Sequence, residues 1–288
     1  MSYTLINPQN GHLAFKIFSF ENNNHFDHIQ RLGYYSMILV LEGHGKLKAD
    51  FSDYNFHKNT LMCFSPYQPF MMDSNILEGI CLHFHPDFFC IHKHHQEVAC
   101  NGVLFNNIYN PPFIQISSQQ SSYFISLIEQ MKEEMQNASI AQYELLISHL
   151  KIFLIKASRI KIEQNPETKN TFAESEQPFI LQNLKDAIET HFKTKHSASE
   201  YADLLNISAK SLAKICKNYF NKTLTDLISE RIVIEAKREL YMTSKTVKEI
   251  AYELGYQDEY YFSRFFKVNA DVSPQIYRET VGFAKAEA

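Results

Sequence analysis

Between Ser197 and Arg278 one pattern is written twice, and that repeat restricts the fold more than any other feature of the 288-residue chain. Ser197-x-x-Glu200 and Thr246-x-x-Glu249 are capping boxes, in which a hydroxyl and a carboxylate satisfy backbone N–H groups that a helix start leaves open. In each copy an alanine follows the glutamate by two residues, Ala202 and Ala251. A turn comes next, LLNIS in one copy and ELGYQD in the other, and then a second start signal, Ser208 or Asp258. In the helix that follows, Leu212 answers to Phe262, Lys214 to Arg264, Cys216 to Phe266 and Lys217 to Lys267, each pair offset by 50. The capping boxes are offset by 49, so the second turn holds one extra residue.

A short helix, a tight turn and a second helix predict a helix-turn-helix unit. The alanines let the two helices approach closely. The turn needs a residue that accepts positive φ: Gly255 does so at little cost, and Asn206 in the first copy is the next most tolerant type. Between the copies, LTDLISERIVIEAKRELYMTS predicts one long helix. Such a connector is stiff enough to hold two reading surfaces about one helical turn of DNA apart, roughly 34 Å.

The N-terminal half has another texture. Runs such as HLAFKIFSF, YYSMILVLEG, TLMCFS and GICLHF within 12–116 are rich in aromatic and aliphatic residues and separated by Asn, Gly, Asp and Pro. They predict a small antiparallel barrel or sandwich. Two helical stretches follow, to about residue 162. In the second, Tyr143, Leu146, Ile147, Leu150, Phe153 and Leu154 recur at intervals of three and four, a stripe broad enough to pack on its own barrel, to form a dimer seam, or to do both. Residues 163–177, EQNPETKNTFAESEQ, are polar and without period, which predicts a linker. The chain thus divides into 1–162, a linker at 163–177, and a helical domain at 178–281.

Composition narrows the class. Hydrophobic residues make up 45% and charged residues 21%, with a net charge of −4, so a contact with nucleic acid has to come from a local patch. The five cysteines are odd in number and form no C-x-x-C, which fits a reducing compartment. The first residues lack the pattern of a signal peptide, and no run of 18 apolar residues occurs, so a cytoplasmic protein without a membrane span is expected. There is no G-x-S-x-G, no phosphate-binding glycine loop and no H-E-x-x-H, and a non-enzyme is expected.

Residues 231–278 closely resemble the signature of the AraC/XylS family of bacterial transcription regulators. The matching positions are Arg231, Ala236, Leu240, Ile250, Ala251, Leu254, Gly255, Tyr256, Tyr261, Phe262, Ser263, Arg264, Phe266, Lys267, Ser273, Pro274, Tyr277 and Arg278. The resemblance implies an α+β two-domain protein with an N-terminal cupin-like β-barrel plus helices and a C-terminal all-α double helix-turn-helix. It implies double-stranded DNA and RNA polymerase as partners, a homodimer, a small-molecule effector sensed by the barrel, and no cofactor. Two departures stand out. Asn221 and Asp271 follow the second helix of each copy where the family has glycine, and both types tolerate the left-handed conformation. Cys216 stands where the family prefers phenylalanine.

The stretch 208–222 carries Lys210, Lys214, Lys217 and Lys222 and no acid, whereas 181–280 as a whole holds fifteen basic and fourteen acidic side chains, a net of +1. Basic charge is therefore concentrated where a helix would enter a groove. Lys210, Ser211 and Lys214 share one face of that helix. Glu259, Tyr260, Ser263 and Arg264 share the corresponding face of the second, with Lys267 nearer the DNA backbone. Arginine can hold guanine with two hydrogen bonds and glutamate can accept from cytosine. By resemblance these are the base-reading positions, while Phe262, Phe265 and Phe266 read as core.

One motif lies outside this frame: HFHPDFFCIHKHH, residues 83–95. His83 and His85 share a strand face with Cys81, and His92, His94 or His95 could add a third ligand for zinc or iron. Against this, Pro86 turns the chain just after His85, no glutamate stands at a useful distance before it, and Lys93 repels a cation. His83 and His85 are therefore expected to line or rim a small-molecule pocket, or to lie on the surface, without metal. In a pocket, near-neutral pKa values would make ligand binding sensitive to pH. The alternative is a metal-dependent cupin enzyme or metal sensor with a DNA-binding appendage.

Overall fold

The computed structural model describes residues 2–7, 11–50, 52–94, 98, 102–137, 139–164 and 179–281. They form two compact units, one of residues up to 107 with 111–164, the other of Ile108–Asn110 with 179–281. Most of the linker expected at 163–177, and His95 of the histidine stretch, lie outside the described residues.

The first unit is built on eight strands: β1 (Ser2–Ile6), β2 (Leu13–Phe20), β3 (Tyr35–Ala49), β4 (Ser52–His57), β5 (Thr60–Phe64), β6 (Phe70–Asp73), β7 (Leu77–Phe84) and β8 (Phe113–Gln115). All their pairings are antiparallel. The hydrogen-bonded path runs β1-β2-β7-β3-β5-β8, with β4 and β6 joined to the far end of β3. An antiparallel sheet with helices is thus in place, but its path is open: among the described residues β1 and β8 end it without pairing to each other.

The central strands are apolar on both faces because both are covered. Phe15, Ile17, Met37, Leu39, Leu82 and Phe84 point to one core. Their neighbours Phe18, Phe20, Ile38, Val40 and Cys81 point to another, with Phe64, Phe70 and Met72. Helix α1 (Ser118–Gln136) and helix α2 (Gln142–Gln164) close the first core. A capping box starts α1: Ser117 Oγ accepts from the Gln120 N–H at 3.1 Å, and Gln120 Oε1 accepts from the Ser117 N–H at 2.8 Å. On α2, Leu146, Leu150, Phe153 and Leu154 are completely buried in this core, and Phe153 meets Phe124 of α1 at 4.4 Å. The stripe therefore packs on its own sheet. Residues left outward on α2 include Leu145 and Ile152, two turns apart and each about four-tenths exposed.

The second unit is helical: α3 (Phe179–His191), α4 (Ala198–Leu204), α5 (Ala209–Phe220), α6 (Leu224–Met242), α7 (Val247–Glu253), α8 (Glu259–Ala270) and α9 (Pro274–Val281). The repeat is α4-turn-α5 and α7-turn-α8, and α6 is the connector. Among the described residues no helix is long and apolar enough to cross a membrane.

Candidate nucleic-acid interface

Each helix-turn-helix is fixed locally by the chemistry that marks it in sequence. Ser197 and Glu200 cap α4 reciprocally at 2.9 and 3.4 Å, and Thr246 and Glu249 do the same for α7 at 2.7 and 3.2 Å. Donation by the Ser197 hydroxyl and backbone holds Glu200 below the usual carboxylate range, and donation by the Thr246 backbone and hydroxyl does so for Glu249. Ser208 Oγ accepts from the Ser211 N–H at 3.1 Å to start α5. Asp258 Oδ1 accepts from the Tyr260 and Tyr261 N–H groups at 2.6 and 3.1 Å to start α8. In the turns Asn206 and Gly255 have φ of 53° and 82°. Asn221 and Asp271 end α5 and α8 in the left-handed region, at 54° and 62°.

These frames aim the expected reading side chains. On α5, Lys210, Ser211, Lys214 and Lys217 are exposed, while Leu212 and Cys216 are buried beneath them. On α8, Tyr260, Arg264 and Lys267 are exposed, Glu259 and Ser263 are half-buried, and Phe262 and Phe266 form the hidden face. Phe265, expected in the core, is only half-buried. Tyr261 is about six-tenths exposed at the start of α8, an outward ring that the sequence does not single out among the base-facing positions.

Lys222 departs from its expected place with the exposed lysines of the first copy. It is buried, its ammonium pairs with buried Glu230 at 2.7 Å and it donates to the Ile108 carbonyl at 3.2 Å. A charge held this way is unavailable to a phosphate. The spacing of lysines along one helix could not reveal it, because its acceptors come from α6 and from a segment 114 residues away.

The connector α6 carries an ion-pair ladder. Glu230, Glu235 and Glu239 are all buried. Arg231 reaches Glu189 of α3 at 2.8 Å and Glu235 at 3.2 Å, and its guanidinium lies 4.0 Å from the Phe192 ring centre. Lys245 joins Glu239 at 2.9 Å to Glu253 of α7 at 2.6 Å. From α9, Arg278 donates to the carbonyls of Leu240 and Lys245, at 3.0 and 2.6 Å. The family-like residues Arg231 and Arg278 are thus structural here.

The histidine stretch resolves differently. His83 is almost fully buried on the same face as Cys81; its Nδ1 lies 2.9 Å from Ser36 Oγ and its Nε2 3.3 Å from Cys81 Sγ. Phe18 stacks on the ring at 5.4 Å and Tyr34 meets it edge-on at 5.4 Å. Burial, then Lys16 and His25, push its pKa down to about 3. The expectation of a near-neutral pKa fails at His83, because a desolvated imidazole wedged between aromatic rings resists a charge. His85, also buried, lies just past the end of β7 and turns to Asp87, whose N–H donates to Nδ1 at 3.2 Å. His94 stacks on Phe89 at 4.9 Å. Among the described residues no three His, Cys, Asp or Glu side chains gather as a metal site. Elsewhere in this unit a groove of about 410 Å³ between α1 and α2 is lined by Gln119, Tyr123, Phe124, Lys156, Arg159 and Glu163.

Comparison with known proteins bears on the helical repeat. Residues 201–280 match a family model described as a helix-turn-helix domain. The transcriptional activator Btr of Bacillus subtilis is 36% identical over 84 residues, 29% of this chain and 16% of that protein. The transcriptional activator RhaS of an Enterobacter species is 25% identical over 165 residues, 57% of this chain and 55% of that protein. Residues 201–280 are thus similar to the helix-turn-helix domains of known transcriptional activators, which supports the AraC/XylS resemblance of that segment. The chain spans about a sixth and about half of the lengths of these two relatives. Among solved structures, the C-terminal domain of AraT, a response regulator from Geobacillus stearothermophilus, is similar at TM-score 0.37 and 27% identity, covering 40% of this chain and 95% of that one. ToxT from Vibrio cholerae is similar at TM-score 0.39 and 14% identity, covering 97% and 96%.

Proposed function

We propose that the chain is a sequence-specific DNA-binding transcription regulator. In this reading residues 178–281 are its DNA-binding domain, 163–177 its linker, and 1–162 a cupin-like domain that senses a small molecule. The observation that carries it is the paired frame: two capped helix-turn-helix units, each with an outward helix face of Lys210, Ser211, Lys214 and Lys217 or of Glu259, Tyr260, Ser263, Arg264 and Lys267. Lysines there screen phosphates, and the mixed acid, hydroxyl and guanidinium set on α8 supplies donors and acceptors for base edges. The regulator acts with RNA polymerase, in the cytoplasm, without a cofactor and without catalysis. An effector shifts the population of conformations of the N-terminal domain and so changes DNA binding. Selecting duplexes from a random pool with the full chain tests the reading. Recovery of one sequence motif, bound far more tightly than random duplex at physiological salt, is expected; equal binding of both would sink it.

The regulator is also read as a homodimer. With Leu150 inside the core, the seam passes to the outward face of α2 that holds Leu145 and Ile152. Leu150→Glu is expected to unfold the first unit, whereas Ile152→Glu is expected to leave a folded monomer, judged by circular dichroism and sedimentation. A folded dimer in Ile152→Glu would remove this face from the interface.

A further inference from the structure

Lys245 and Arg278 tie the second helix-turn-helix unit to α6 across Thr243–Lys245, where the chain leaves the helical path between α6 and α7. A further contact joins the second unit to the first. Gly255, in the turn of the second unit, sits against the loop that follows α3. A Cβ placed on Gly255 would lie 2.2 Å from the Lys193 carbonyl oxygen and 3.3 Å from the His196 ring. The His196 ring packs on Tyr256 at 4.9 Å, and buried Tyr256 packs in turn on Phe262 and Phe265 of α8, each at 5.3 Å.

The loop itself is held by the first unit and by the connector. The His196 N–H donates to Glu200 of the first capping box at 3.1 Å. The Tyr201 hydroxyl of α4 donates to the Lys195 carbonyl at 3.2 Å. Phe192 is buried under Arg231 of α6, and Lys193 lies 3.7 Å from Glu235. The loop therefore moves with α4 and α6, while its outer edge abuts the turn before α8. His196 Nε2 is buried there without a hydrogen-bond partner among the described residues, and the ring rests on Tyr256.

The two turns show that conformation alone does not demand glycine. Asn206 holds φ of 53° at the matching place in the first unit and is exposed. Gly255 has the further duty of admitting a foreign backbone, which no side chain would allow.

We propose that the Lys193–His196 loop, with Gly255 and Tyr256, is a brace that sets the relative orientation of α5 and α8, and thereby the spacing of the two sub-sites that one chain accepts on DNA. His196 and Gly255 are positioning residues for recognition and touch no base. This rests on the DNA-binding reading and deepens it.

The test uses the full chain and duplexes selected with it from a random pool, rebuilt with the two sub-sites moved apart or together by one to three base pairs. Wild type is expected to prefer one spacing by about tenfold, roughly the 1.4 kcal/mol that tenfold represents. His196→Ala and Gly255→Asn are expected to lose most of that preference while binding a duplex with one sub-site as wild type does. His196→Phe, which keeps a ring against Tyr256, restores it. A role limited to stability would instead weaken single and paired sub-sites alike. Retention of the wild-type spacing preference by folded Gly255→Asn and by His196→Ala overturns the brace. A wild-type chain that is sequence-selective but indifferent to spacing overturns the brace and leaves the DNA reading standing. A wild-type chain that selects no sequence removes both.

Discussion

Beneath α5 the first helix-turn-helix packs Leu212 and Cys216, while beneath α8 the second packs Phe262 and Phe266. Around the second pair stand Tyr256, 5.3 Å from Phe262, and Tyr277, 5.8 Å from Phe266. The outward faces differ as much: lysines without an acid on α5, a mixed set with Glu259 and Arg264 on α8. What coincides is confined to the ends and turns, namely the capping boxes, the two N-caps and the left-handed residues after each outward helix. Backbone groups left open by a helix terminus have to be satisfied in a few ways, so the frame repeats; core and surface are free to diverge once it is set.

The largest expected break in this comparison lies in the cores. Phe266→Ala removes a fully buried ring and should cost about 3–5 kcal/mol, whereas Cys216→Ala should cost about 1 kcal/mol. Thermal unfolding followed by circular dichroism ranks them, and equal losses would mean that the two cores bear the same load. Next come two lysines of the first unit. Lys222→Met strands the Glu230 carboxylate in a buried site and should cost about 3–5 kcal/mol. Lys217→Met, at an exposed position, should change stability by no more than about 0.5 kcal/mol. A reversed order would return Lys222 to the surface.

The outward faces should separate in DNA binding. Arg264→Ala is expected to lose about 1–3 kcal/mol on selected duplexes and to relax sequence preference. Lys217→Ala should weaken selected and random duplexes alike and lower the salt slope by about 1. Titrations at several salt concentrations distinguish these behaviours, and a sequence-dependent loss at Lys217 would make it a base contact rather than a phosphate contact. The smallest difference is expected at the caps. Ser197→Ala and Thr246→Ala should each cost about 1 kcal/mol and agree within error, since the boxes are chemically equivalent. Unequal costs would show that one box also bears tertiary load.

The same division explains what could be read before the fold was known. Ser197, Ser208, Thr246 and Asp258 act on backbone within three residues of themselves, so their roles are legible from spacing. The left-handed Asn221 and Asp271 follow from the resemblance, which puts glycine after each outward helix, together with residue types that tolerate that conformation. The burial of Lys222 is not legible from helix spacing, because its partners lie on the next helix and 114 residues away. The α2 stripe was visible, but only the fold says that Phe124 and the sheet cover it. The strand period put His83 with Cys81, while Ser36, 47 residues away, was beyond any local rule. Whether the sheet closes depends on pairings between its first and last strands, and strand composition does not encode those.

Three residues, Ile108–Asn110, pack with the helical unit although the chain on both sides of them belongs to the other. Tyr109 donates to Glu189 at 3.0 Å, its ring lies 5.7 Å from Phe220, and Ile108 supplies a carbonyl to Lys222. A gene fusion cut inside the polar segment 163–177 would therefore not transplant an intact module. The recipient protein would receive α3 to α9 without the tyrosine that lies against Phe220 and Glu189, so recombination at that point would leave the first helix-turn-helix without a ring that it packs against.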